Sequence, residues 1–158
     1  WVIGALGGMQ LRRPWALRGE AAWFARKTLA AVSRPGLVEA QVLEAGVGLD
    51  RSVGQTRVFA SVLLHREWSD EDPLVRRTDV NLVGSVERSL NRERHHVRAF
   101  LVLNPADASA FVRGVWTWTL ADNLSFHVSA GGFLGEGDDA IARFKGRHFL
   151  SARLTAHW

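Results

Sequence analysis

Apolar and polar side chains alternate with a period of two through nearly the whole chain, and this restricts the fold more than any other feature. Residues 109–121 set Ala110, Val112, Gly114, Trp116, Trp118 and Leu120 against Phe111, Arg113, Val115, Thr117 and Thr119. Residues 124–134 set Leu124, Phe126, Val128, Ala130 and Gly132 against Ser125, His127, Ser129 and Gly131. The last run sets Leu150, Ala152, Leu154, Ala156 and Trp158 against Ser151, Arg153, Thr155 and His157. The same pattern fits residues 15–24, 55–68, 79–88 and 94–103, and it holds from Leu43 to Leu49 within residues 37–51. Phase is lost near Val42, which predicts a bulge there, and residues 1–10 fit either phase. Strict alternation describes a strand with one apolar face. About nine strands and no helix are expected, with Gly36, Gly54 and Asn104-Pro105 among the turn residues between them.

Three further signals narrow the class. The connections near Leu11–Pro14, Arg51–Gly54, Ser89–Glu93 and Asp122-Asn123 are short. Those near Ala25–Gly36, Ser69–Thr78 and Leu134–Arg147 are long, and Pro105–Ala108 is the weakest member of that series. An up-and-down membrane barrel has this asymmetry, with tight turns on one side and longer loops on the other. Most runs span about 10–12 residues, where a tilted strand needs about 9–11 to cross the hydrocarbon layer. Tryptophans fall near predicted strand ends: Trp15 and Trp158 at one rim, Trp23 and Trp68 at the other, Trp116 and Trp118 toward the first. Indole rings favour the headgroup level, so these six form a candidate membrane girdle. Mean hydropathy is −0.04 and no run approaches a membrane-spanning helix, which leaves a membrane β-barrel open. The absence of cysteine excludes disulfide scaffolds and thiol chemistry.

With those residues in view, the chain resembles the C-terminal part of a Gram-negative outer-membrane β-barrel of the porin type. Two segments carry the resemblance. The final strand, His148-Phe149-Leu150-Ser151-Ala152-Arg153-Leu154-Thr155-Ala156-His157-Trp158, alternates and ends on an aromatic residue, like the terminal signal read by the barrel-assembly machinery. The run Leu17-Arg18-Gly19-Glu20-Ala21-Ala22-Trp23-Phe24 is similar to a strand of poorly characterised porin-like families. The resemblance implies an all-β, antiparallel up-and-down transmembrane barrel in the outer membrane. Its partners would be outer-membrane lipid and, through the last strand, the assembly machinery. It would let small polar solutes diffuse passively, without a cofactor or catalytic residues. Residues 1–158 are then expected to form one segment, the C-terminal half of a larger barrel, with residues 1–10 and 148–158 as its edges. The competing arrangement closes residues 15–158 into eight strands by pairing 15–24 with 148–158.

The charges bear on function directly. The sequence has 20 basic and 16 acidic residues, and its basic pI raises nucleic-acid binding. The predicted inward faces, however, carry Arg18, Arg57, Arg94, Arg98, Arg113 and Arg153 against Glu20, Glu44, Asp50, Glu67, Asp79 and Glu87. No basic stripe interleaved with aromatics emerges, so nucleic acid is not an expected partner. Of these, Arg18, Glu20, Arg57, Glu67, Glu87, Arg94, Arg98, Arg113 and Arg153 are the candidate pore-lining residues. A lumen with both signs suits a water-filled channel, and the same pairs equally suit cross-strand salt bridges that fix register. His95 and His96 point to opposite faces and cannot easily share a metal, so no metal site is expected. Ser125, His127 and Asp122 are close in sequence, but their spacing supplies neither a positioned base nor an oxyanion hole. The run from Leu134 to Asp139 is acidic and glycine-rich but lacks calcium-loop spacing, and reads as a flexible external loop. Two rival functions follow from the same pattern: a small closed outer-membrane barrel acting as enzyme or adhesin, and a soluble β-barrel with its apolar face turned inward around a ligand.

Overall fold

In a computed structural model that describes residues 2–10, 15–137 and 139–157, the chain forms one antiparallel sheet of nine strands in sequence order. The strands are β1 (Val2–Gln10), β2 (Trp15–Ala30), β3 (Leu37–Val53), β4 (Thr56–Trp68), β5 (Arg76–Leu90), β6 (His95–Asn104), β7 (Ser109–Ala121), β8 (Leu124–Leu134) and β9 (His148–Ala156). Among the described residues the one helical segment is a 3-10 turn at Ala142–Phe144. Every strand pairs with its sequence neighbours, as short connections between antiparallel strands require.

The register joins the alternating runs into one surface. Trp15 opposes Arg51, which opposes Val58, then Val86, Ala99, Gly114, Ala130 and Leu150 in turn. Directly opposed residues project from the same face. The apolar members of all the runs therefore share one face, and Arg18, Glu20, Glu44, Asp50, Arg57, Glu67, Asp79, Glu87, Arg98, Arg113 and Arg153 share the other, while Arg51, Arg66 and Arg88 border the apolar one. A slip of one residue in any pair would have turned that strand inside out.

The polar face is the concave one. A cavity of about 640 Å³ opens on it, lined by Leu6, Glu20, Glu44, Leu63, His65 and Asn81 from five successive strands. Across the gap between β7 and β9, the Phe111 and Phe149 rings approach to 6.4 Å between centroids. Side chains converge in this way on the inside of a curved sheet and splay on the outside. Accordingly Asp50 and Ser129, on the polar face, are buried, while Val62, Leu82 and Trp116, on the apolar face, are 48%, 38% and 37% exposed.

The strands at the long-loop end rise beyond the apolar face, and there the faces exchange character. On the outside of β2 and β3 the apolar band ends at the Trp23–Leu43 pair. Above it the outward positions are Gln41, Glu39 and Thr28, with the Ala30–Leu37 pair at the strand ends, and Arg26 pairs outward with Glu39 at 3.5 Å. Inward, Val38, Ala40 and Val75 form a small buried cluster with Leu29 and Ala31 against it. We call the lower region the belt and the upper one the crown. The sequence reading ended the second strand at Phe24 and began the fifth at Asp79. Both continue through the crown, where the alternation is inverted and a bulge resets its phase. Between Phe24–Val42 and Lys27–Ala40, two residues of β2 oppose Gln41 alone. The expected bulge is thus at this level, but its extra residue belongs to β2 and not to the strand of Val42.

The described connections keep the predicted asymmetry, and Leu11–Pro14 lies outside the described residues. Gly54-Gln55 and Asp122-Asn123 are tight turns, and residues 91–94 form a turn in which Asn91, Arg92 and Glu93 are all left-handed, with φ of 51°, 54° and 68°. The opposite end carries the longer segments 31–36, 69–75 and 135–147, with 105–108 as its short member. The sheet is open. Among the described residues β1 pairs only with β2, β9 pairs only with β8, and no ladder joins β2 to β9. Residues at both edges are correspondingly bare, Leu6 at 86% and Leu150 at 76% exposure.

Candidate solute-facing surface

Seven predicted lining residues lie on strand positions of the concave face: Arg18, Glu20, Arg57, Glu87, Arg98, Arg113 and Arg153. Glu67 joins them at the upper end of β4, opposite Arg77. Arg94 does not. It closes the turn ahead of β6, where its N–H bonds the Asn91 carbonyl, because the chain reverses there before the strand begins. Two cations that the sequence reading assigned to loops, Lys27 and Arg77, stand on the concave face because β2 and β5 are longer than expected.

Half of these charges are paired across strands. Asp50 receives Arg57 in a forked contact and lies 3.9 Å from Arg18. Arg98 meets Glu87 at 2.6 Å and Lys27 meets Glu44 at 3.3 Å, and within β5 Arg77 meets Asp79 at 2.6 Å. His65 stands between Glu44 and Glu67, at 3.6 Å and 3.3 Å. The bridges that cross between strands pin register as well as charge the surface. Glycine makes room among them for Leu63 and Phe59. A Cβ on Gly46 would come within 3.0 Å of Leu63, and one on Gly48 within 3.0 Å of Phe59.

The charge is not spread evenly. All the strand carboxylates, Glu20, Glu39, Glu44, Asp50, Glu67, Asp79 and Glu87, belong to β2–β5. Strands β6–β9 carry no acidic residue. Their concave side holds Arg98, Arg113 and Arg153 among hydroxyls and phenyl rings. There the Arg113 Nε–H bonds the Ser129 hydroxyl at 3.0 Å. His127 has one ring nitrogen 2.9 Å from Thr117 Oγ1 and the other 3.0 Å from Ser125 Oγ. Sequence spacing missed this Ser125–His127 contact. Residues two apart on a strand share a face, and that signal was present. The second His127 nitrogen meets a hydroxyl and not a carboxylate, and Asp122 lies in the turn. His95 and His96 point to opposite faces, opposing Trp118 and Thr117 respectively.

The convex face has a different boundary chemistry. Trp15 begins β2 at the short-turn end, with the Arg51 guanidinium 4.7 Å from its ring. Trp116 and Trp118 lie toward the same end, stacked on each other at 6.0 Å with His95 against both. Trp23 marks the top of the belt midway along β2, and Trp68 ends β4 one pair higher, beside Arg66. Trp158 lies outside the described residues. On β4 and β5, the convex positions between Arg88 below and Arg66 above include Val58, Ala60, Val62 and Leu64, and Val80, Leu82, Gly84 and Val86. None of them is ionisable.

Two loops are fastened over the rim. Asp72 is fully buried and accepts the Val32 and Ser33 amides at 2.7 Å and 2.8 Å, locking segment 69–75 to segment 31–36. Hydrogen bonds from the Ser33, Leu74 and Val32 amides hold its carboxyl below the usual carboxylate range, against the burial that raises it. Asp139 plays the same part in segment 135–147, which the sequence reading took for a loose loop. It accepts the Ser109 hydroxyl at 2.5 Å, Asn104 Nδ2 at 3.2 Å and the Ala142 amide at 2.7 Å. Burial pushes this carboxyl up, and the Ser109, Ala142 and Asn104 bonds outweigh it, so it too titrates low. Among the described residues no group of three histidine or acidic side chains converges as metal ligands do. Compared with known protein families, curated proteins and solved structures, the chain matches none of them.

Proposed function

We propose that this sheet is part of the wall of a porin-like β-barrel in a Gram-negative outer membrane, and that the barrel passes small polar solutes by diffusion. One observation carries the reading. On β4 and β5 the convex belt has no ionisable side chain from Val58 to Leu64 or from Val80 to Val86, while the concave face of the same strands carries Arg57, His65, Glu67, Arg77, Asp79 and Glu87. Lipid on one side and water on the other explains both, because an arginine at the bilayer midplane on the lipid face costs about 2–4 kcal/mol. The dimensions agree. From Trp15 to Trp23 the strand advances about 3.4 Å per residue, and at a tilt of 35–45° the eight steps span roughly 20 Å of bilayer normal. A soluble barrel with its apolar face inward would need the opposite curvature. Further strands would cover the two bare edges, since unpaired backbone groups are not tolerated in hydrocarbon. On this reading the barrel holds no cofactor and catalyses nothing.

The test is conductance. The full-length protein, folded into planar lipid bilayers, is expected to give stepwise currents and to fractionate with outer membranes. Recovery in the soluble fraction, or an intact bilayer-inserted protein without conductance, would overturn the channel.

A further inference from the structure

Among the strand arginines of the concave face, Arg113 is bound differently from those of β2–β6. Arg57, Arg77 and Arg98 each meet a carboxylate, and Arg18 approaches one. Arg113 meets no carboxylate among the described residues. Instead its Nε–H is held by the hydroxyl of buried Ser129, leaving both terminal amino groups of the guanidinium free of that bond. Phenyl rings frame it. Phe100 opposes it directly on β6, Phe111 precedes it by two residues on the same face, and the Phe149 ring lies 6.0 Å from the guanidinium carbon.

Gly131 makes that last contact available. It stands between Arg113 and Phe149 in the same cross-strand row. A Cβ there would come 2.5 Å from the Phe149 ring and 2.8 Å from the Val112 carbonyl oxygen, so the phenyl ring occupies the space that any other residue's side chain would need. A forked cation with unspent donors, a hydroxyl fixing its orientation and an aromatic surround make a recognition unit for a planar anion with an apolar body. The absence of carboxylates from β6–β9 removes the competing internal anion.

We propose that Arg113, with Phe100, Phe111 and Phe149, forms a binding site for small aromatic carboxylates on the solute-facing wall. The carboxylate takes the terminal guanidinium donors and the ring lies among the phenylalanines. This deepens the channel reading by naming a solute class, and it rests on that reading for the site's place on a permeation path.

The experiment titrates 4-fluorobenzoate against the full-length protein in detergent micelles at neutral pH, read by fluorine NMR. Saturable binding is expected, displaced by benzoate but not by acetate or neutral benzyl alcohol. Arg113→Gln should weaken it about tenfold, the scale of one charge-assisted hydrogen-bonded pair. Phe149→Leu should weaken it about threefold. Arg98→Gln, whose guanidinium is already satisfied by Glu87, should change it less than about twofold. Unchanged binding in Arg113→Gln with native strand content by circular dichroism would overturn the site, as would equal losses in Arg113→Gln and Arg98→Gln. Should Arg113→Gln not fold, Arg113→Lys keeps the charge but loses the fork, and full retention of benzoate binding there would also refute the proposal. Conductance without benzoate binding overturns the site and leaves the channel standing. Benzoate binding without conductance supports the site and removes the channel.

Discussion

The belt and the crown use the same strands with opposite rules. In the belt, Val47, Val62 and Leu82 face out and Glu20, Asp50 and Ser61 face in. In the crown, Gln41, Glu39 and Thr28 face out while Val38, Ala40 and Leu29 turn inward beneath Val75. The hydrogen-bonded ladder runs through the boundary with a single bulge, so the backbone does not decide which face is apolar. The surroundings do. On the proposed reading the belt's outside meets hydrocarbon, and its apolar residues therefore point away from the sheet's own interior. Where both sides meet water, the strands bury them inward as a soluble sheet does.

Four experiments bear on that contrast, each on the full-length protein folded into phospholipid vesicles. The largest effect is expected for Val38→Asp, which places an unpaired carboxylate in the inward cluster of the crown and should cost roughly 3 kcal/mol or more in urea unfolding. Ser61→Asp, inward in the belt, should cost less than about 1 kcal/mol. Equal costs would erase the distinction between the two interiors. Next is the outer surface: Val62→Arg in the belt should destabilise by about 2–4 kcal/mol, whereas Gln41→Arg in the crown should stay within about 0.5 kcal/mol.

A pH experiment sharpens the crown. Since the folded Asp72 carboxyl titrates below its unfolded value near about 3.9, its contribution is complete above that value and is lost as pH falls through the folded one. Hydrogen exchange of the Val32 and Ser33 amides, corrected for intrinsic rates, should therefore be flat from pH 7 to about 5 and accelerate below about 4. Asp72→Asn should expose both amides at neutral pH and flatten the profile. Protection that rises on acidification would contradict the latch. The smallest effect concerns the border itself. Trp23→Leu, at the top of the belt, should cost about 1 kcal/mol, and Trp68→Leu, one pair above, distinctly less. The reverse order would move the border upward.

The belt was legible in the sequence because one rule holds along it. From Trp15 to Trp23, Val58 to Leu64 and Leu150 to Ala156, every second residue is apolar or glycine and marks the same face. The crown was illegible for the same reason: Val38, Ala40 and Val42 have the right period but the opposite sense, and the β2 bulge shifts Lys27 and Leu29 onto the inward side. Arg94 was misplaced because a left-handed turn leaves no trace in a period-two pattern when its residues are Asn91, Arg92 and Glu93 and not glycine. Asp72 and Asp139 gave no signal either. Their partners lie some 30 to 40 residues away in sequence, and what they do depends on two loops meeting.

The strand count has a consequence of its own, best put in terms of direction. With nine alternating strands, β1 and β9 run the same way. A second copy entering the membrane in the same orientation would set its β1 parallel to the first copy's β9, so two copies cannot form one wholly antiparallel ring even though their strands add to an even number. An alternating insert does close it, provided that it begins and ends on strands running opposite to β1 and β9. Such an insert must contain an odd number of strands, and the finished ring an even one.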